Sequence, residues 1–220
     1  MAARMLSCAF RRVHPELARA VDHRRSPARF YALLRGSDGG GAGAVKVAPK
    51  SVAPAAPMEE PITYDEVRAA VKSWCDGIIK IGKVFQEGGD YKAKAMEVIE
   101  SNYAFSHDTA PGNQLLFKPT KAAEHPFRSQ FDEFVSYFVG DGKYCEDAGF
   151  AIAPWSKIRY DMYGVYITGP TATVSGNYWF TNANDASETK VEYTFQFVRV
   201  ANPAGKLKIV LHHSSIPYSP

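Results

Sequence analysis

The sequence predicts an α+β domain in which helices come first and a run of strands follows. Apolar residues recur at helical spacing between residues 63 and 139, whereas from residue 153 onward they alternate with a period of two. Short breaks rich in Gly, Pro, Asn and Asp separate the later segments, so neighbouring strands should pair antiparallel. This order indicates N-terminal helices packed on one face of a strongly curved antiparallel sheet.

The composition of the chain indicates one folded domain and argues against two classes of protein, nucleic-acid-binding and membrane-spanning. The chain has 220 residues, 45% of them hydrophobic and 13% aromatic, which is enough for one sizeable core. Residues 1–31 hold seven of the 26 basic and two of the 23 acidic residues, so the remainder has a net charge of −2. The domain therefore shows no electrostatic sign of nucleic-acid binding. No apolar run approaches the roughly 18 residues that a membrane-spanning helix needs.

The N-terminal segment, residues 1–31, has the composition of an organellar transit peptide. It is rich in Arg, Ala and Ser, and it lacks the long apolar run of a secretory signal. Arg29-Phe-Tyr-Ala resembles a mitochondrial processing pattern, so we predict a mitochondrial location, with a plastid as the second possibility and a disordered basic tail as the other interpretation. Residues 32–61 are rich in Gly, Ala and Pro and predict a linker. The folded domain is predicted over residues 62–220.

The first two helices have clear start signals. Thr63 and Glu66 form a capping box, and Gly88-Gly89 ends the helix that follows. The residues of its apolar face are Val67, Val71, Trp74, Ile78, Ile81 and Phe85. Asp90 can cap a second helix. The residues predicted for the apolar side of that helix are Ala93, Met96, Ile99 and Tyr103.

A third helix is predicted over about residues 129–139, after an irregular segment at residues 105–125. Four phenylalanines lie three or four residues apart along it: Phe127, Phe131, Phe134 and Phe138. Tyr137 lies beside this stripe, and the Gly-Asp-Gly sequence that begins at Gly140 ends the helix.

Four strands are predicted, at residues 155–168, 171–181, 188–200 and 206–215. The last strand ends in His212-His213-Ser214-Ser215. Successive side chains of a strand point to opposite faces. Strict alternation therefore places His213 and Ser215 at the end of one apolar row, whose earlier members are Leu207, Ile209 and Leu211. We predict that this row faces the core.

Six blocks in order resemble the iota-class carbonic anhydrases, and together they cover essentially the whole predicted domain. The blocks are residues 116–120, 136–140, 149–157, 176–181, 190–195 and 211–217. The resemblance implies the cone-shaped fold of the nuclear-transport-factor-2-like superfamily, in which helices close over a bent sheet and leave a pocket. The association domain of calcium/calmodulin-dependent kinase II shares that fold.

The resemblance also implies an activity, the reversible hydration of carbon dioxide to bicarbonate, and a homodimer. In the metal-free members a threonine, a tyrosine and a serine bind the substrate by hydrogen bonds. Matched by motif, these are Thr120, Tyr137 and one serine of the pair. Alternation selects Ser215, with Ser214 as the fallback, and places His213 beside it as the base that orients Ser215 or water.

The sequence favours a mechanism without a metal. A catalytic zinc needs three protein ligands around an open position, and adjacent His212 and His213 point to opposite faces of the strand. The chain contains no His-x-His or Cys-x-x-Cys motif. Since some relatives use manganese, that metal is the second possibility. Two other functions stay open: a non-catalytic oligomerisation module, and an isomerase or small-molecule binder.

Overall fold

The computed structural model describes residues 61–105, 115–200 and 205–219. The predicted transit peptide lies outside the described residues, as does the predicted linker except for Pro61. The helices are α1 (Tyr64–Gln86), α2 (Tyr91–Asn102), α3 (Phe131–Val139) and a 3-10 turn (Phe150–Ile152). The strands are β1 (Leu116–Lys118), β2 (Trp155–Tyr160), β3 (Gly164–Thr168), β4 (Thr171–Asn182), β5 (Glu188–Val200) and β6 (Lys206–Ser215). None of the described helices is long and apolar enough to cross a membrane.

The described strands form one six-stranded sheet. Its order is β1-β6-β5-β4, and both β2 and β3 pair with the far edge of β4. All pairings are antiparallel except that of β1 with β6, which is parallel. The prediction of a wholly antiparallel sheet is therefore wrong at this edge. The strand β1 has only three residues, too few to produce a period-two pattern within the segment predicted to be irregular.

The helices begin and end close to the predicted positions. Thr63 and Glu66 form the capping box of α1, and the side chain of Asp90 accepts a hydrogen bond from the backbone of α2. The predicted apolar side of α2 is wrong in part, since its buried residues are Ala95, Val98, Ile99 and Asn102. An added Cβ at Gly77 of α1 would lie 2.6 Å from Val98, so the close approach of the two helices decides which side of α2 is buried.

The predicted strand at residues 155–168 is two strands. The chain turns between them at Asp161, whose carboxylate accepts hydrogen bonds from the backbone and side-chain amides of Asn177. A Cβ added at Gly176 would lie 2.3 Å from the carbonyl oxygen of Asp161. Because Gly176 has no side chain, the turn at Asp161 can pack directly on the backbone of β4.

A β-bulge interrupts the alternation of β6. Gln196 of β5 pairs with Leu211, but the next residue, Phe197, pairs with Ile209, so Val210 is an extra residue in β6. Cross-strand partners share a face of the sheet. Because Ile209 faces the core opposite Phe197, the extra residue brings His212 to the core side, opposite the buried Phe195.

Candidate functional site

A small cavity lies between the inner face of the sheet and the helices. Its volume is about 20 Å³. On the same measure roughly 10–15 Å³ suffices for one water molecule, so the cavity suits a guest of very few atoms. The lining residues with a polar group in the side chain are Trp74, Thr120, Tyr137, Tyr178, His212 and Ser214. Apolar side chains complete the wall: Phe117, Phe138, Phe150, Phe180 and Val191.

The bulge decides which two residues of the His-His-Ser-Ser sequence face this cavity. His212 and Ser214 are 3% and 6% exposed and line it, whereas His213 is exposed on the opposite face. Both His213 and Ser215 border a shallow groove there. The prediction that His213 and Ser215 face the core is therefore wrong. It assumed unbroken alternation, and the extra residue Val210 shifts the later side chains by one position.

Four hydroxyl-bearing side chains line the cavity, and three of them are at the positions that the resemblance indicates: Thr120, Tyr137 and Ser214. The Thr120 hydroxyl donates to the Ser214 hydroxyl across 2.9 Å, and Tyr137, which is 6% exposed, presents its ring to the same space. The Tyr137 oxygen accepts a hydrogen bond from the backbone N–H of Lys121 at 3.4 Å. Burial raises the pKa of Tyr137, so its phenol keeps the proton. The structure thus groups Thr120 and Tyr137 with the fallback serine, Ser214.

A buried charge network holds the loop that carries Thr120. The Glu146 carboxylate accepts hydrogen bonds from the backbone N–H groups of residues 123, 124 and 125. Arg128 has no exposed side-chain surface and contacts Asp147 at 2.9 Å and Glu146 at 3.1 Å. Ser136, adjacent to Tyr137 on α3, donates to Asp147 at 2.6 Å. One network therefore holds residues 123–125, which follow Thr120 closely in the chain, and Ser136, which precedes Tyr137.

His212 is held in a chain of ring and hydrogen-bond contacts. Its Nδ1 atom lies 2.8 Å from the hydroxyl of Tyr103, which also accepts from the indole N–H of Trp74 at 2.9 Å. Phe117 stacks on the imidazole with ring centroids 5.0 Å apart. Burial, with a smaller contribution from the neighbouring His213, lowers the pKa of His212 to about 3. The imidazole is therefore uncharged at neutral pH.

No metal centre is evident in the part of the chain that the structure describes. Within it, no three His, Cys, Asp or Glu side chains lie close enough together to hold a metal ion. The polar groups of the cavity are hydroxyls, an indole and a single imidazole. Such a set suits hydrogen bonding to a small polar guest better than coordination of a cation.

Comparison with known proteins places this site in a family context. The model of the family described as "Metal-independent carbonic anhydrase" matches residues 65–216. A metal-independent carbonic anhydrase from Nostoc sp. is 38% identical over 159 residues, which are 71% of this chain and 75% of that protein.

A solved structure of the same family agrees with the predicted α+β fold. The crystal structure of a cyanobacterial iota-carbonic anhydrase complexed with bicarbonate matches with a TM-score of 0.67 and 36% identity, over 74% of this chain and 96% of that one. A nuclear-transport-factor-2-like superfamily protein from Salmonella enterica matches with a TM-score of 0.44 and 12% identity, over 70% and 91%. The predicted α+β class is confirmed, and the chain shares the fold of the cyanobacterial iota-carbonic anhydrase.

Proposed function

The chain belongs to the metal-independent carbonic anhydrase family and is a carbonic anhydrase, and we propose that it hydrates carbon dioxide in the cavity of Thr120, Tyr137 and Ser214. The reaction joins the oxygen of water to the carbon of carbon dioxide and releases one proton, which gives bicarbonate. The observation that carries this proposal is that Thr120, Tyr137 and Ser214 converge on one small and largely aromatic cavity. The bicarbonate complex of the cyanobacterial relative supports the choice of ligand.

The cavity matches both sides of this reaction. Its phenylalanine walls suit carbon dioxide, which is small and apolar, and its few hydroxyls can orient the oxygens. Negative charge develops on those oxygens as water attacks. Donors already in position stabilise that charge without reorganisation, and the loss of one such donor typically costs about 10²–10³ in rate. Thr120, Tyr137 and Ser214 are proposed to supply these donors.

The proton of the attacking water is proposed to leave to solvent. Burial lowers the pKa of His212 to about 3 and raises that of Tyr137. Neither group is then a base that titrates near pH 7. The hypothesis that His213 serves as the base loses its support as well, since His213 is exposed on the opposite face. We therefore expect the hydration rate to rise with pH as hydroxide becomes available.

Stopped-flow hydration assays test this proposal. Purified protein should hydrate carbon dioxide at the same rate before and after treatment with a strong chelator, and added manganese or zinc should not change that rate. The rate should show no inflection from His212 between pH 5 and 9, because a group with a pKa of about 3 is already deprotonated there. Loss of activity on chelation, with recovery on adding manganese, would contradict the metal-free mechanism.

The alternative function, a non-catalytic oligomerisation module, has a weaker basis. Such a module needs no polar cavity, yet two side chains that line this one, His212 and Tyr178, each have a buried polar atom without a hydrogen-bond partner among the described residues. Unsatisfied buried polar atoms are costly to keep. Their presence favours a cavity that binds a ligand.

We further propose that the protein forms a homodimer through the outer face of the sheet. Tyr163 and Tyr166 are 93% and 72% exposed. Tyr166 pairs with Thr173, and the residues on either side of Thr173, Ala172 and Val174, are buried in the core. Tyr166 therefore lies on the outer face of the sheet. Exposed tyrosines beside a broad sheet are typical of interfaces. Sedimentation equilibrium should give twice the monomer mass, and a Tyr166→Glu variant should shift towards monomer. A monomeric wild-type protein would refute this proposal.

We also propose that residues 1–31 direct the protein to mitochondria, with a plastid as the alternative. Support comes from the seven arginines and two acids of this segment and from Arg29-Phe-Tyr-Ala. A fluorescent protein fused after residue 61 should localise to mitochondria, whereas a fusion that lacks residues 1–31 should not. Identical distributions of the two fusions would exclude a targeting role.

A further inference from the structure

Two polar side chains of the cavity are not explained by the hydroxyls of Thr120, Tyr137 and Ser214. His212 and Tyr178 are lining residues of the cavity, and each has a buried polar atom, Nε2 and the phenol oxygen, with no partner in the described part of the chain. The two residues are 3% and 1% exposed. A buried donor or acceptor without a partner is costly to keep, so two of them on side chains that line one small cavity point to a ligand that satisfies both.

Hydrogen-bond roles around Tyr103 fix the position of the proton on His212. The indole N–H of Trp74 can only donate, so the Tyr103 oxygen accepts there, at 2.9 Å. The phenol proton of Tyr103 is then available to His212 Nδ1, 2.8 Å away. Among the described residues that proton has no other acceptor, so we assign Nδ1 as the acceptor and place the one proton of the uncharged imidazole on Nε2. His212 thus offers the cavity a donor.

Ring packing holds both side chains in place. Trp74 stacks on Tyr178 with centroids 5.0 Å apart and meets His212 edge-on at 5.2 Å. Tyr193 also stacks on Tyr178, with ring centroids 4.1 Å apart. The ring centroid of Phe195 lies 4.4 Å from that of His212. Neither donor needs to be reoriented when a guest arrives, which is the property that makes fixed donors effective.

We propose that His212 Nε2–H and the Tyr178 hydroxyl form a second set of donors in the cavity, which binds an oxygen of bicarbonate, and that Trp74 and Tyr103 are positioning residues that fix the His212 tautomer. The inference rests on the proposed function. In the hydration direction, the same two donors stabilise the charge that grows on a carbon dioxide oxygen as the new carbon–oxygen bond forms. No proton is transferred to or from His212 in this scheme.

The tautomer can be observed directly by ¹⁵N NMR of protein labelled at histidine. The His212 signals should show a protonated Nε2 and an unprotonated Nδ1 in the wild-type protein, and bicarbonate should shift the Nε2 signal. In a Tyr103→Phe variant the donor to Nδ1 is gone, so a population with the proton on Nδ1 should appear. A wild-type His212 protonated at Nδ1, or an Nε2 signal that bicarbonate leaves unchanged, would overturn the proposal.

A conservative substitution tests the second donor. Tyr178→Phe removes one hydroxyl and should weaken bicarbonate binding about 10- to 150-fold, since a hydrogen bond to a charged group contributes about 1.5–3 kcal/mol. Tyr218→Phe, which changes a tyrosine that is 89% exposed, is the matched control and should bind bicarbonate as the wild-type protein does. Unchanged binding in a folded Tyr178→Phe variant would overturn the assignment. Should that variant not fold, the wild-type NMR titration still decides.

The outcomes separate this inference from the proposed function. If the protein hydrates carbon dioxide but bicarbonate does not perturb His212 Nε2, the second set of donors is wrong and the function stands. If bicarbonate perturbs Nε2 but no hydration is measured, the binding site stands and the proposed function is wrong.

Discussion

Replacing Ser214 with alanine should lower kcat/KM for carbon dioxide hydration about 100-fold or more, whereas Ser215→Ala should leave it within about twofold. The Ser214 hydroxyl lines the cavity and accepts a hydrogen bond from Thr120, while Ser215 borders the groove on the opposite face of the sheet. A loss of one positioned donor typically costs about 10²–10³ in rate. The two variants differ by one position and remove the same group, so each is the control for the other.

Stopped-flow assays of both variants, with thermal melts to confirm folding, measure this difference. Substitutions of the two histidines should differ in the same way. His212→Ala should lower kcat/KM, because His212 lines the cavity, whereas His213→Ala should not, because His213 is exposed on the opposite face of the sheet. A larger loss for Ser215→Ala than for Ser214→Ala would mean that unbroken alternation describes β6 better than the bulge at Val210 does.

Replacing Arg128 with methionine should lower the free energy of unfolding by about 3–5 kcal/mol, the usual cost of removing one partner of a buried ion pair. The side chains of Arg128 and Asp147 are both 0% exposed, so the variant leaves a buried carboxylate without its cation. Glu146, which holds the backbone of residues 123–125, loses the same partner. Chemical denaturation of the two proteins gives the difference.

Lys72→Met is the matched control for this substitution. Lys72 and Asp76 also form an ion pair, but their side chains are 63% and 50% exposed, and exposed pairs typically contribute about 0–1 kcal/mol. The control should therefore unfold almost as the wild-type protein does. Equal and small effects of the two substitutions would show that the buried network does not stabilise the loop that carries Thr120.

Local signals in the sequence explain why most elements could be predicted. The capping box of Thr63 and Glu66 fixes the start of α1, and Gly140, with φ of 66°, ends α3 where the glycine indicates. The period-two pattern gives β4, β5 and β6 within a residue or so. Resemblance, rather than pattern, pointed to Thr120 and Tyr137, which the structure does bring to one cavity.

The errors come from features that depend on tertiary contacts. Nothing in Lys206–Ser215 indicates that Val210 is an extra residue, because the bulge exists only relative to β5. The buried side of α2 is set by its close approach to Gly77 of α1. Arg128 and Asp147 are 19 residues apart and match no motif. The hydrogen bond between Tyr103 and His212 joins residues 109 positions apart, so only the folded chain shows that His212 belongs to the site.

The most direct test of the central claim is a crystal structure of the protein soaked with bicarbonate. We expect the anion in the cavity, within hydrogen-bond distance of the Thr120 and Ser214 hydroxyls, with His213 and Ser215 free of it on the outer face. Bicarbonate bound instead in the groove beside His213 and Ser215, with the cavity lacking it, would contradict the account.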